Sequence, residues 1–134
     1  MADVEKSRTI RAPIAAVWAA LTDVDGIEGW MGVGQVQELD LTIGGRIAFF
    51  GDSTTGAFTV IDRPRRLAYT WRQAEWPAGW ADSRVEWELS PAAEGTTVRL
   101  CHSHFPNEAE RVSHDEGWDT YFLDPLQSRL ESAD

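Results

Sequence analysis

The sequence predicts one α+β domain in which a curved antiparallel sheet is covered by a long C-terminal helix. The chain has 134 residues, which is the length of a single domain that can bury a core without disulfides. Apolar and polar residues alternate within residues 66–72, 84–89 and 97–100, as in strands that have one buried face. Apolar residues then recur at every fourth position from Trp118 to Leu130, as in an amphipathic helix.

The N-terminal elements are predicted to be a strand and two short helices. Residues 4–11 are compatible with a strand, and residues 23–31 predict a short helix interrupted by glycines. Between them, Pro13 suits the first position of a helix. The apolar stripe that follows has helical spacing and consists of Ile14, Val17, Trp18 and Leu21.

Six strand-like segments follow, each ended by turn residues. They cover residues 34–41, 46–50, 57–61, 67–72, 84–89 and 96–105. Gly44 and Gly45 join the first two as a hairpin, and residues 51–56 are expected to form a turn. In the last three, every second residue is apolar, and the same alternation places His102 and His104 on the buried face.

The final helix contains a proline, Pro125. It cannot donate a hydrogen bond to the carbonyl of Tyr121, and its ring crowds that carbonyl. We expect one kinked helix. The alternative is a second helix capped by Asp124, with Gln127 completing a capping box.

The buried faces of the helix and sheet are unusually aromatic, which predicts a cavity. Aromatic rings packed across a bent sheet leave irregular space of the kind that binds apolar molecules. We therefore expect a small apolar or amphipathic ligand, with the histidines orienting its polar end. The predicted ligand-binding residues are Phe49, Phe58, Tyr69, Trp71, Trp87, His102, His104, Trp118 and Phe122.

The histidines also fit three other interpretations. His102 and His104 point the same way in a strand and could share a zinc ion, but no compact metal-binding signature is present. A third ligand would have to come from His114, Asp115 or Glu116. No metal or other cofactor is therefore predicted.

Acid–base catalysis would need a carboxylate to orient a histidine. Strand parity offers Glu38 as a candidate without fixing which face it lies on, and no Ser-His-Asp order or nucleophile elbow is legible. Cys101 falls on the face opposite His102, which disfavours a Cys–His pair. No catalytic residue is assigned, although an enzyme remains an alternative. The last interpretation is that His102 is a hydrogen-bonded core residue. Trp76 and Trp80 lie in a loop, where they form a pocket lip or a protein contact, or one of them packs as a plug on the domain.

The charge pattern bears on possible partners. There are 12 lysines and arginines against 22 acidic residues, for a formal charge of −10, so nucleic acid is excluded as an expected partner. Residues 107–134 hold eight acidic and two basic residues. This segment is either a solvated helix face or a docking surface for a basic protein.

The compartment expected from the sequence is the cytoplasm. No apolar run approaches the ~20 residues of a membrane span, and the N-terminus is charged, without an apolar signal-peptide core. Cys101 is the single cysteine, so no internal disulfide can form.

Several phrases of the chain resemble a known family. They are RTIRAPIAAVWAALTD at 8–23, GGRIAFF at 44–50, VIDRPRRLAYTW at 60–71, SRVEWEL at 83–89 and GTTVRLCHSHFP at 95–106. Together with the element order, they resemble the START-like (SRPBCC) helix-grip fold and, within it, the activator of heat-shock-protein ATPase (AHSA) homologue family.

The resemblance implies a central cavity but no single activity. Members of the family include small-molecule binders, polyketide-cyclase-like enzymes and a chaperone-regulating domain, so each is an expectation for this chain. His102 and Ser103 match the family's His-Ser pair. Two positions depart from it: His104 stands where glycine is common, and Pro125 lies in the last helix.

Overall fold

The computed structural model describes residues 2–132. The chain begins with strand β1 (Val4–Ile10) and helices α1 (Ile14–Thr22) and α2 (Val24–Met31). Six strands follow: β2 (Val36–Leu39), β3 (Arg46–Phe49), β4 (Thr54–Asp62), β5 (Arg66–Gln73), β6 (Ser83–Ala92) and β7 (Gly95–Ser103). The C-terminal helix consists of α3 (Glu108–Gly117), a π-helical segment (Trp118–Leu123) and α4 (Asp124–Ser132).

The seven strands form one antiparallel sheet in the order β1-β7-β6-β5-β4-β3-β2. Two register shifts bend it, one at Gln37 in β2 and one at Thr59 in β4, because an extra residue on one strand increases the local twist. Its concave face packs against the helices, and a single apolar core fills the space between them. The predicted helix-grip fold is confirmed.

Strand β4 begins earlier than the sequence predicted. Residues 51–56 were expected to form a turn, but Thr54 and Thr55 pair with Gln73 and Arg72 of β5. Gly56 lies inside the strand, where a Cβ atom would come within 1.8 Å of the Thr70 carbonyl oxygen. The glycine that resembled a turn signal therefore permits close approach of two strands.

Strand β1 alternates poorly in sequence because two of its inward residues are cations. Val4 and Ile10 are buried, and Lys6 and Arg8 between them face the C-terminal helix. Lys6 Nζ lies 2.8 Å from Asp119 Oδ2, and Arg8 Nη2 lies 2.9 Å from Asp119 Oδ1. Asp115 and Asp124 complete this ion-pair network, which ties the helix to β1.

The C-terminal helix is continuous, and it starts ten residues before Trp118. Asn107 caps it by accepting a hydrogen bond from the Glu110 amide at 3.0 Å. Just before Pro125 the helix widens, and the Asp124 amide bonds to the carbonyl of Asp119, five residues back. The widened turn accommodates a proline that lacks an amide hydrogen. The alternative of two separate helices is wrong.

None of the helices found in residues 2–132 combines the length and apolar character needed to span a membrane.

Candidate functional site

His102 lies at the centre of a buried hydrogen-bond chain. The Trp118 indole Nε1–H donates to His102 Nδ1 at 3.0 Å. On its other side, His102 Nε2 lies 2.7 Å from Ser83 Oγ, and that hydroxyl donates to the Trp71 carbonyl oxygen at 2.9 Å. This series of hydrogen bonds therefore connects the C-terminal helix to β7, β6 and β5.

These hydrogen bonds fix the tautomer of His102. Nδ1 accepts from an indole that can only donate, so the proton of the neutral ring sits on Nε2 and is donated to Ser83. Burial, with a smaller contribution from His114, lowers the pKa of His102 to about 2. Both ring nitrogens are occupied in a neutral, fully buried ring. The geometry matches the interpretation of His102 as a hydrogen-bonded core residue.

His104 lies elsewhere, and the prediction that it shares the buried face is wrong. Strand β7 ends at Ser103, and His104 adopts a positive φ of 62° that breaks the two-residue alternation. The side chain is exposed, with Nδ1 3.0 Å from Ser103 Oγ. The next residue, Phe105, is buried instead, and its ring packs on His102 with the two ring centroids 4.1 Å apart.

A cavity of about 470 Å³ lies between the C-terminal helix and the ends of β3, β4 and β5. Three predicted residues, Trp71, Trp118 and Phe122, form its inner wall. The outer part of the wall includes Ser113 and Tyr121, which are exposed, so the cavity reaches the surface. The volume lies in the range of ~300–1,000 Å³ that small-molecule sites occupy.

The inner wall is a continuous aromatic surface. Trp71 packs on Trp118 with ring centroids 5.2 Å apart, and Trp118 packs on Phe122 at 4.4 Å. Phe50 extends the surface by meeting Phe122 edge-on at 6.0 Å. Phe50 has a positive φ of 55°, which is rare for a bulky side chain and is found at positions held by their surroundings.

One buried polar atom in this wall has no partner among residues 2–132. Trp71 is 3% exposed, and its indole Nε1 makes no hydrogen bond there. A buried donor without a partner costs about 1–3 kcal/mol. The atom is inaccessible to solvent, so the open part of the cavity does not reach it.

The four remaining predicted aromatics do not line this cavity. Phe58 meets Tyr69 edge-on at 5.8 Å, and the Trp87 indole donates to the Tyr69 hydroxyl at 3.1 Å. Burial raises the pKa of Tyr69. Phe49, Tyr69 and Trp87 border an interior void of about 10 Å³. The structure corrects the predicted position: the rings fill the centre of the domain, and the space lies at its edge.

The loop between β5 and β6 borders the cavity and is held by one arginine. Arg72 donates to the carbonyl oxygens of Trp80 at 2.7 Å and Pro77 at 2.6 Å. Trp76 is buried and packs as a plug, and its indole donates to Glu110 Oε1 at 2.8 Å. This hydrogen bond joins the loop to α3.

Several lining residues were missed in the sequence, and four of them lie on α3. They are Phe50, Ser53, Thr54, Gln73, Glu75, Glu110, Ser113, His114, Gly117 and Tyr121. A helix-start signal was present: Asn107 is followed three residues later by Glu110. From Glu110, the lining positions recur at helical spacing through His114 and Gly117 to Trp118.

Within residues 2–132, no group of three or more His, Cys, Asp or Glu side chains is arranged to hold a metal ion. The positions of His102 and His104 explain why these two side chains cannot share a metal ion. Both nitrogens of His102 are engaged inside the core, whereas His104 lies in solvent. The arrangement can bind an apolar group through its rings and a polar group through His114 and the carboxylates of the wall.

Known proteins resemble this chain over nearly its whole length. A protein from Mesorhizobium loti, MLL2253, has a crystal structure that superposes with a TM-score of 0.84 at 26% identity, covering 99% of both chains. CalU16 from Micromonospora echinospora is 30% identical, with a TM-score of 0.76, covering 96% of this chain and 74% of that one.

A curated relative is much longer. The uncharacterized protein C1711.08 of Schizosaccharomyces pombe is 24% identical over 127 residues, which are 95% of this chain and 37% of that protein. The chain therefore spans well under half of the length of this relative. The model of the family described as Activator of Hsp90 ATPase homolog 1-like protein matches residues 11–131. Because this match covers most of its length, the chain belongs to that family.

Proposed function

We propose that this protein binds a small apolar or amphipathic molecule in the cavity under its C-terminal helix. The observation that carries the proposal is the continuous aromatic wall of Trp71, Trp118 and Phe122, which borders about 470 Å³ of space. Rings on a pocket wall bind apolar ligands by removing apolar surface of both from water.

His102 acts from behind this wall, because it positions the Trp71 backbone through Ser83 and the Trp118 ring directly. We therefore assign His102 a positioning role in place of direct ligand contact.

Nile red, a neutral apolar fluorophore, tests the proposal. The Ser113→Trp variant places a large ring inside the cavity wall, and we expect it to weaken Nile red binding at least tenfold. Val112→Trp is the matched control, since Val112 is the preceding residue, is 54% exposed and lies outside the lining. Equal binding by wild type and Ser113→Trp would show that the dye does not occupy this cavity.

A second candidate is regulation of an Hsp90-type chaperone. The description of the matched family supports it, as does the acidic C-terminal segment, which suits a basic partner. The test is the ATPase rate of a purified Hsp90 with and without this protein. A rate increase that persists in Ser113→Trp would make this function independent of the cavity. An unchanged rate with wild-type protein would exclude it for that chaperone.

A further inference from the structure

The cavity wall contains two acidic side chains, and its basic side chain is the imidazole of His114. Glu75 and Glu110 line the cavity, and no lysine or arginine of the described residues does. The carboxylates come from different elements, since Glu75 follows β5 and Glu110 lies in the first turn of α3. An anionic ligand would meet repulsion here, and a cationic one would meet two opposite charges.

The position of Glu110 is fixed by its neighbours. Its Oε1 accepts the hydrogen bond from the Trp76 indole at 2.8 Å, which leaves Oε2 able to accept another donor. Glu75 is exposed and not held in this way. The site thus offers one oriented carboxylate, Glu110, and one exposed carboxylate, Glu75.

His114 adds an acceptor of the same character. Its Nδ1 lies 2.7 Å from the Glu110 carbonyl oxygen, which can only accept, so Nδ1 carries a proton. In the neutral ring this leaves Nε2 as an acceptor. An ammonium group, with three donors, matches this set of acceptors.

The aromatic wall suits the same ligand. Its rings offer an apolar surface to the hydrocarbon part of an amine. Trp71, Trp118 and Phe122 lie within 6 Å of one another, measured between ring centroids. A cation held by the carboxylates would lie at the margin of this aromatic surface.

We propose that the cavity selects an apolar molecule that carries a protonated amine, an inference that rests on the proposed ligand-binding function. The aromatic wall holds the apolar part, and Glu110 and Glu75 pair with the ammonium group. The ligand class is therefore an aryl or alkyl amine, in preference to a fatty acid or another carboxylate.

Three probes with the same ring system test this: 2-(2-naphthyl)ethylamine, 2-(2-naphthyl)ethanol and 2-naphthylacetate. Calorimetric titration at about 0.15 M salt screens distant charges. Two partly exposed ion pairs correspond to a preference of about tenfold. We expect the amine to bind about tenfold more tightly than the alcohol, and the carboxylate to bind most weakly.

The double variant Glu75→Gln with Glu110→Gln keeps the shape of both side chains and removes their charge. We expect the amine to bind this variant no more tightly than the alcohol, whose affinity stays unchanged. Glu116→Gln is the control, because Glu116 is exposed on α3 outside the lining. It should retain the full preference, although it removes one negative charge, as each substitution of the double variant does.

Equal affinity of wild type for amine and alcohol would overturn the inference and leave the ligand-binding proposal in place. A preference for the amine that survives the double variant would also overturn the inference, because it would not depend on Glu75 and Glu110. Loss of the preference in Glu116→Gln would do the same, because it would assign the preference to the overall charge. Failure of all three probes and of Nile red to bind would overturn the inference and the proposed function together.

Discussion

Replacing Ser83 with alanine removes one hydroxyl from the middle of the buried hydrogen-bond chain. Ser83 is 1% exposed and His102 is completely buried. The change leaves the His102 Nε2–H without its acceptor at 2.7 Å and removes the donor to the Trp71 carbonyl. Only an oxygen atom is lost, so the contribution of cavity formation is small.

The imidazole cannot adapt by exchanging tautomers. Nδ1 must remain unprotonated to accept from Trp118, so in the neutral ring the proton stays on Nε2 and faces the alanine. A buried donor without a partner costs about 1–3 kcal/mol. Ser83→Ala should therefore lower the free energy of unfolding by that amount.

Urea unfolding at pH 7 measures this change, provided that the m values of the two proteins agree. Ser90→Ala is the matched control, because Ser90 lies on the same strand, β6, and is exposed. The control should stay within about 0.5 kcal/mol of wild type. If Ser83→Ala matched the control, the hydrogen bond from His102 to Ser83 would contribute nothing to stability.

Three further predictions follow from the same contacts. Burial lowers the pKa of His102 to about 2, so below about pH 6.5 the unfolded state binds the extra proton. Between pH 6.5 and 5, wild type should lose up to about 1.4 kcal/mol per pH unit in urea titrations, and a His102→Gln variant should lose less; equal slopes would refute the assignment. Lys6, then Arg8, lower the pKa of Asp119, so its stabilisation exists above about pH 4 and fades on acidification. Asp119→Asn should cost about 0.5–1 kcal/mol at low salt and less in 1 M NaCl, whereas a salt-independent cost would contradict an ion-pair origin. His104→Gly should raise the free energy of unfolding by up to about 1 kcal/mol, since glycine adopts φ 62° without strain; a decrease, measured in urea, would reveal a stabilising contact of the imidazole.

The fold could be predicted because its signals are local. Alternation marks β5, β6 and β7, and the stripe from Trp118 to Leu130 marks the C-terminal helix. The limits of these elements depended on tertiary contacts. Thr54 joins β4 because Gln73 pairs with it, and Lys6 faces inward because Asp119 lies opposite. The residues that flank Thr54 and Lys6 in the sequence do not reveal that Gln73 and Asp119 are their partners.

The candidate site was predicted in part. Alternation identified Trp71 and helical spacing identified Trp118 and Phe122, and all three line the cavity. Periodicity reports which residues are buried, but it cannot distinguish a packed core from a cavity wall. Tyr69 is an example, because it follows the same alternation as Trp71 but packs against Phe58 and Trp87 in the core. His104 departs from its predicted position because one positive φ ends the alternation.

The tryptophan indoles allow the most direct test of ligand binding. We would titrate ¹⁵N-labelled protein with 2-(2-naphthyl)ethanol and follow the indole N–H signals by NMR. The signals of Trp71 and Trp118, whose rings line the cavity, should shift together and saturably. Trp18, which lies on α1 outside the lining, serves as the internal control. Shifts confined to Trp18, or no saturable shift at Trp71 and Trp118, would contradict binding in this cavity.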